Sequence, residues 1–145
     1  MTDFIAVVPS TWTREQTFAY LADFQSVQEW DPGVITSELR EGQAGTQGAV
    51  YAVTLSAPGK ARTIPYTATE IVGTSRIELR AETRSMIIRD TIMITENGDG
   101  VKVRYHARIK LKGLRKVAAP LVGIGLRRAG KNAAEGLTAQ LASAF

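Results

Sequence analysis

His106 is the only histidine in the 145 residues, and there is no cysteine. A lone imidazole cannot assemble the nitrogen and sulfur ligands of a zinc centre, so no metal is expected. Disulfides and thiol nucleophiles are excluded outright. His106 also stands in a row with Lys102, Arg104, Arg108, Lys110 and Lys112, at alternate positions of one run. The other face of that run is Val101, Val103, Tyr105, Ala107, Ile109 and Leu111. A catalytic histidine needs a nucleophile and an orienting acid within hydrogen-bond reach. A histidine among cations on the wet face of a strand is instead expected to be exposed and to have no part in catalysis. Gly125, Gly130 and Lys131 have the spacing of a phosphate-binding loop. However, Asn132 stands where the magnesium-binding hydroxyl belongs, and the stretch lies in a helical stripe, so the match reads as chance.

Asp90 is a different case. On the run Met86 to Glu96 it shares a face with Met86, Ile88, Ile92 and Ile94. If that face is buried, the carboxylate must titrate high or find a cation, for which Arg80 and Arg89 are candidates. A structural ion pair at the sheet edge is the plainer reading and makes Asp90 only a weak catalytic candidate. Tyr51, Tyr66 and Tyr105 also fall on strand-like runs. Each ring can fill core with its hydroxyl reaching water, or can present that hydroxyl to a ligand. Phe24 and Trp30 read as caps on the core rather than ligand contacts.

These residues need elements to hold them. Asp3 to Val8 predicts a first strand ended by Pro9. Thr13 and Gln16 have the spacing of a capping box opening a helix of about ten residues through Phe18, Leu21 and Ala22. A second short helix carries Val27 and Trp30, and Asp31-Pro32-Gly33 predicts a turn. From Val34 to Leu111 the apolar period is two. Turn signals separate strands at Val34–Arg40, Ala49–Leu55, Arg62–Val72, Ile77–Ala81, Met86–Glu96 and Val101–Leu111. Asn97-Gly98-Asp99-Gly100 is the strongest hairpin signal. Strands joined this way, with no helix between them, predict an antiparallel meander. From Leu114 onward the period becomes 3.6. Ala118, Val122, Leu126, Ala129, Ala133 and Leu137 form a stripe with Leu121 and Leu141 on its flanks, opposite Arg127, Arg128, Lys131 and Glu135. Pro120 predicts either a kink or the true start of this last helix.

The chain reads as one domain over residues 1–145, without repeats or linkers. The formal net charge is +4. That charge permits anionic partners without requiring them. The strand's cationic face has no aromatic residues among its cations to stack bases, so nucleic acid is not expected. Peripheral contact with an anionic membrane through that face and Arg127, Arg128 and Lys131 stays open. The N-terminus has no basic region or long apolar core of a signal peptide, and the longest uncharged run near the C-terminus is half a membrane span, so a cytoplasmic protein is expected. Monomer and homodimer fit equally.

The order strand, two short helices, six strands, long helix resembles the START-like or SRPBCC superfamily, of which Bet v 1 is the familiar helix-grip type, and within it the polyketide cyclase/dehydrase-like branch. Five segments carry the likeness: Phe18 to Phe24, Trp30 to Gly33, Gly45 and Gly48 before Tyr51, Gly100 to Tyr105, and Leu111 to Leu114. The resemblance implies an α+β helix-grip fold, a curved antiparallel sheet wrapped around a C-terminal helix with an apolar cavity between them. It implies binding of a lipid-, polyketide- or quinone-like molecule, with no cofactor. Tyr51, Val53, Tyr66, Leu79, Ile88, Asp90, Tyr105, Ala107 and Ile109 from the sheet, with Leu121, Val122, Leu126 and Ala129 from the helix, would then line the site. The alternative is a cyclase, aromatase or dehydratase working in the same cavity, for which Asp90 and the tyrosines are the sole candidates.

Overall fold

The computed structural model describes residues 2–56, 59–113 and 119–145, with side chains from 123 onward in the last segment. Strand β1 (Thr2–Ser10) leads to α1 (Arg14–Ala22), a 3₁₀ turn (Phe24–Ser26) and α2 (Val27–Trp30). Six strands follow: β2 (Val34–Glu41), β3 (Val50–Leu55), β4 (Arg62–Val72), β5 (Arg76–Glu82), β6 (Met86–Asn97) and β7 (Gly100–Leu111). Helix α3 (Ala119–Leu141) closes the chain. All neighbours in the seven-stranded sheet are antiparallel, in the order β1-β7-β6-β5-β4-β3-β2. Register shifts in β2 and between Ala68 and Glu70 of β4 help bend the sheet. The result is the α+β helix-grip architecture that the order of elements implied.

Local chemistry explains most of the boundaries. The Thr13 hydroxyl accepts from the Gln16 amide at 3.0 Å and the Gln16 side chain accepts from the Thr13 amide at 3.1 Å, the reciprocal capping box. The β6–β7 hairpin pairs Asn97 with Gly100, and the Asn97 side chain accepts from the Asp99 amide at 2.8 Å. Positive φ is needed only at Gly100 (+106°), which leaves Gly98 in ordinary space. Pro9 does not end β1: it lies inside the strand, paired with Lys102. The missing N–H is tolerated because β1 is an edge strand. Pro120 sits in the first turn of α3 and marks its start. Ala118 lies outside the described residues.

Helix α3 is seated along one flank. Gly130 lies against the ring of Phe4 in β1 and Gly136 against the backbone of Trp30 in α2. Its C-terminal end is tied by Thr11, whose amide donates to the Leu141 carbonyl at 3.0 Å, and by the Trp12 indole N–H, which donates to Ser143 at 2.9 Å. Ala133, Leu137 and Leu141 are buried, while Leu126 is half-buried and Ala129 exposed. The apolar stripe is thus sealed at its C-terminal end, whereas Leu126 and Ala129, nearer its start, are not fully covered. Among the described residues no helix is long and apolar enough to cross a membrane.

Candidate functional site

A cavity of about 540 Å³ occupies the space between the inner face of the sheet and α3. The size is within the range of small-molecule sites. Its walls are alternate residues of successive strands, which point to one face because the strand period is two. Val53 and Leu55 come from β3, Arg62, Ile64 and Tyr66 from β4, Ile88 and Asp90 from β6, and Tyr105, Ala107 and Ile109 from β7. Helix α3 adds Leu126, Ala129, Gly130 and Ala133; the 3₁₀ turn and α2 add Phe24 and Val27; the turn after α2 adds Asp31 and Gly33.

Of the residues expected from the sequence, Val53, Tyr66, Ile88 and Asp90 stand on this wall. So do Tyr105, Ala107, Ile109, Leu126 and Ala129. Two do not. Tyr51 is fully buried, and its hydroxyl accepts from the Gly45 amide at 3.1 Å and donates to the Ala22 carbonyl at 3.5 Å. It is a structural bolt under α1. Leu79 is fully buried on the same face, between Ala68 and Asp90 in the register, but does not line the cavity. The side chains of Leu121 and Val122 lie outside the described residues. Phe24, read as a core cap, lines the cavity, whereas Trp30 is buried behind it with its ring edge-on to Tyr105 at 5.6 Å.

Asp90 does not form the expected ion pair. Arg80 is engaged by Glu82 at 2.8 Å, and Arg89 is exposed on the outer face. Asp90 is 7 % exposed and has no hydrogen-bond partner among the described residues. Burial, with the nearby charge of Asp31 as a second cause, pushes its carboxyl up to about 7, and Arg108 only partly offsets this. The Arg108 guanidinium is occupied on the other face, where it donates to the Thr91 hydroxyl at 2.9 Å. Asp31 is also raised by burial, moderated by the Gly33 amide, which donates to its carboxylate at 2.9 Å. The Gly33 carbonyl in turn accepts from the Ser56 amide at 2.9 Å, fixing this turn to the end of β3. Burial, Asp90 and Asp31 hold the Tyr66 and Tyr105 hydroxyls well above their ordinary range, so both remain proton donors. The site therefore gathers two high-titrating carboxyls and two protonated phenols in an apolar chamber. Sequence reading missed Asp31, whose only local signal is that of a turn.

His106 is half-buried rather than exposed, with Nε2 3.1 Å from Asp3 on the outer face and away from the cavity. Lys102, Arg104 and Lys110 are exposed, as the outer face of the sheet requires. Lys112 is drawn to Glu82 and the Thr83 carbonyl. Among the described residues no cluster of three or more potential metal ligands occurs.

A curved sheet gripping a C-terminal helix over an apolar chamber defines a helix-grip protein. The chain belongs to the polyketide cyclase / dehydrase and lipid transport family, whose model matches residues 1–142. No curated protein matches its sequence. Ginseng major latex-like protein 151 from Panax ginseng superposes with a TM-score of 0.72 at 14% identity, covering 97% of each chain. Protein CV1439 from Chromobacterium violaceum gives 0.72 at 15% identity over 99% of each chain. TTHA0849 from Thermus thermophilus gives 0.72 at 14% identity, covering 97% of this chain and 95% of its own. At such identities the likeness is one of fold.

Proposed function

We propose that the chain binds an apolar small molecule, lipid-, polyketide- or quinone-like, in the chamber between sheet and helix. The observation that carries this reading is the open volume of about 540 Å³ behind walls of Val53, Ile64, Ile88, Ile109 and Leu126. A well-packed core leaves few voids larger than a water molecule. Moving ligand carbon from water to such walls is worth about 25 cal/mol per Å². The family's description, which includes lipid transport, agrees with it. Native mass spectrometry of the purified protein, followed by titration with the neutral apolar dye Nile red and displacement by decanol, tests the reading. Saturable binding of both is expected. Absence of any bound mass together with no saturable dye or decanol binding would overturn it.

A second reading, a cyclase- or dehydratase-like enzyme, draws on one specific observation. Asp90 titrates near neutrality beside the Tyr66 and Tyr105 hydroxyls, where a general acid or base works best. Such an enzyme would lose turnover of a polyketide-like substrate in Asp90→Asn while keeping its affinity. A wild-type rate unaffected by that substitution would leave only the binding role.

A further inference from the structure

The polar groups of the chamber are sorted by sign. At the inner end, Asp90, Tyr66 and Tyr105 are 7 %, 5 % and 7 % exposed. None of their carboxylate or hydroxyl groups has a partner among the described residues, although all three side chains line the cavity. Asp31 is near enough to all three to raise their titration, and one of its oxygens is already held by Gly33. At the mouth, Lys60 and Arg62 are exposed and form no ion pair among the described residues. Arg62 shares the inner face of β4 with Ile64 and Tyr66, so its Cα is about 13 Å along the strand from that of Tyr66 at roughly 3.3 Å per residue. An adjoining recess of about 420 Å³ shares Lys60, Arg62 and Ser85 with the cavity and leaves room for a solvated head group.

Resting on the binding role above, we propose that the occupant is an apolar acid with a hydroxyl at its far end, the carboxylate meeting Lys60 and Arg62 and the hydroxyl meeting Asp90, Tyr66 and Tyr105. The ends are not equivalent. A carboxylate pushed inward would add a further negative charge beside Asp31 and Asp90 in a desolvated site, so that one of the carboxyls would have to take up a proton. A hydroxyl satisfies the inner end because it donates to a carboxylate and accepts from a phenol at once. An ammonium would suit the acids but must pass two unpaired cations on a chain whose formal net charge is +4. The apolar walls between the ends take the carbon skeleton.

Calorimetric titration of the intact protein with ω-hydroxydecanoic acid, decanoic acid, decanol and decylamine separates the possibilities. The hydroxy acid is expected to bind tightest and the amine weakest. Lys60→Gln combined with Arg62→Gln should weaken both acids by roughly tenfold, the sum of two partly exposed charge contacts, and leave decanol unchanged. Tyr66→Phe combined with Tyr105→Phe should shrink the advantage of the hydroxy acid over decanoic acid, leaving only the donation of its hydroxyl to Asp90. Equal affinity for acid, alcohol and amine, or tightest binding of the amine, would overturn the proposal while leaving the binding role intact. Failure of decanol as well as the acids would overturn both.

Discussion

Gly136 of α3 rests on the backbone of α2: a β-carbon at position 136 would fall 2.0 Å from the Trp30 carbonyl oxygen and 3.0 Å from its carbon. The obstacle is main chain, which cannot swing aside. The contact fixes the helix that precedes Asp31, and so one wall of the chamber. Gly136→Ala is therefore expected to destabilise by about 1–3 kcal/mol through overpacking, despite a gain in helix propensity of up to about 1 kcal/mol. Gly125 meets no described atom within 4 Å. Gly125→Ala should stabilise by about 0.5–1 kcal/mol. Urea midpoints of the two variants should move in opposite directions.

Tyr51 and Tyr66 face each other in the β3–β4 register, yet their hydroxyls have different work. Tyr51→Phe strands the Gly45 amide and the Ala22 carbonyl, at a cost of about 1 kcal/mol. Tyr66→Phe breaks no hydrogen bond within the described residues and should leave the thermal midpoint unchanged or raise it. A larger loss from Tyr66→Phe than from Tyr51→Phe would contradict this assignment.

Asp90 sets the sign of a pH effect. Its carboxyl is raised from 3.8 to about 7 in the folded chain. Between those values the native state holds a proton that the unfolded state has lost, so stability falls as pH rises through that window and levels off above it. The groups facing it are Asp31, Tyr66 and Tyr105 within the chamber and Arg108 across the sheet. Asp90→Asn mimics the protonated form. The variant should match wild type near pH 4 and exceed it by a few kcal/mol at about pH 8. Denaturant unfolding at both pH values reads the difference; equal stability at the higher pH would mean that the carboxylate is solvated rather than buried.

Alternation picked out the inner face of β3, β5, β6 and β7, which is why Val53, Ile88, Ala107 and Ile109 could be named from sequence. It says nothing about depth along that face. Leu79 and Tyr51 have the right parity, but Leu79 is fully covered by its neighbours and Tyr51 is pinned under α1 by bonds to residues six and 29 positions away. Asp31 was hidden for the opposite reason. Its Asp-Pro-Gly context explains a turn completely, and its link to Asp90 runs between segments far apart in the chain. Lys60 and Arg62 carry no local signal of a site; only the folded sheet puts them on the cavity. The unpaired state of Asp90 was likewise invisible, because Arg80 and Arg89 are close in sequence but committed elsewhere or on the other face.

Ala107 offers the most direct check on the empty space itself. It lies on β7 between Phe4 and Asp90 in the register, is 4 % exposed, and faces the cavity. Ala68 lies in the same row on β4 and is 1 % exposed, but does not line the cavity. Leucine at either position adds the same three carbons. Into closed packing that addition costs about 1–3 kcal/mol; into a void it costs little and buries new apolar surface. Ala68→Leu should therefore lower stability, whereas Ala107→Leu should leave it within about 1 kcal/mol of wild type. The same Ala107→Leu should weaken Nile red and decanol binding, because the new side chain takes up ligand volume. Equal destabilisation by both substitutions would mean that sheet and helix meet over Ala107 and leave no chamber there for a guest.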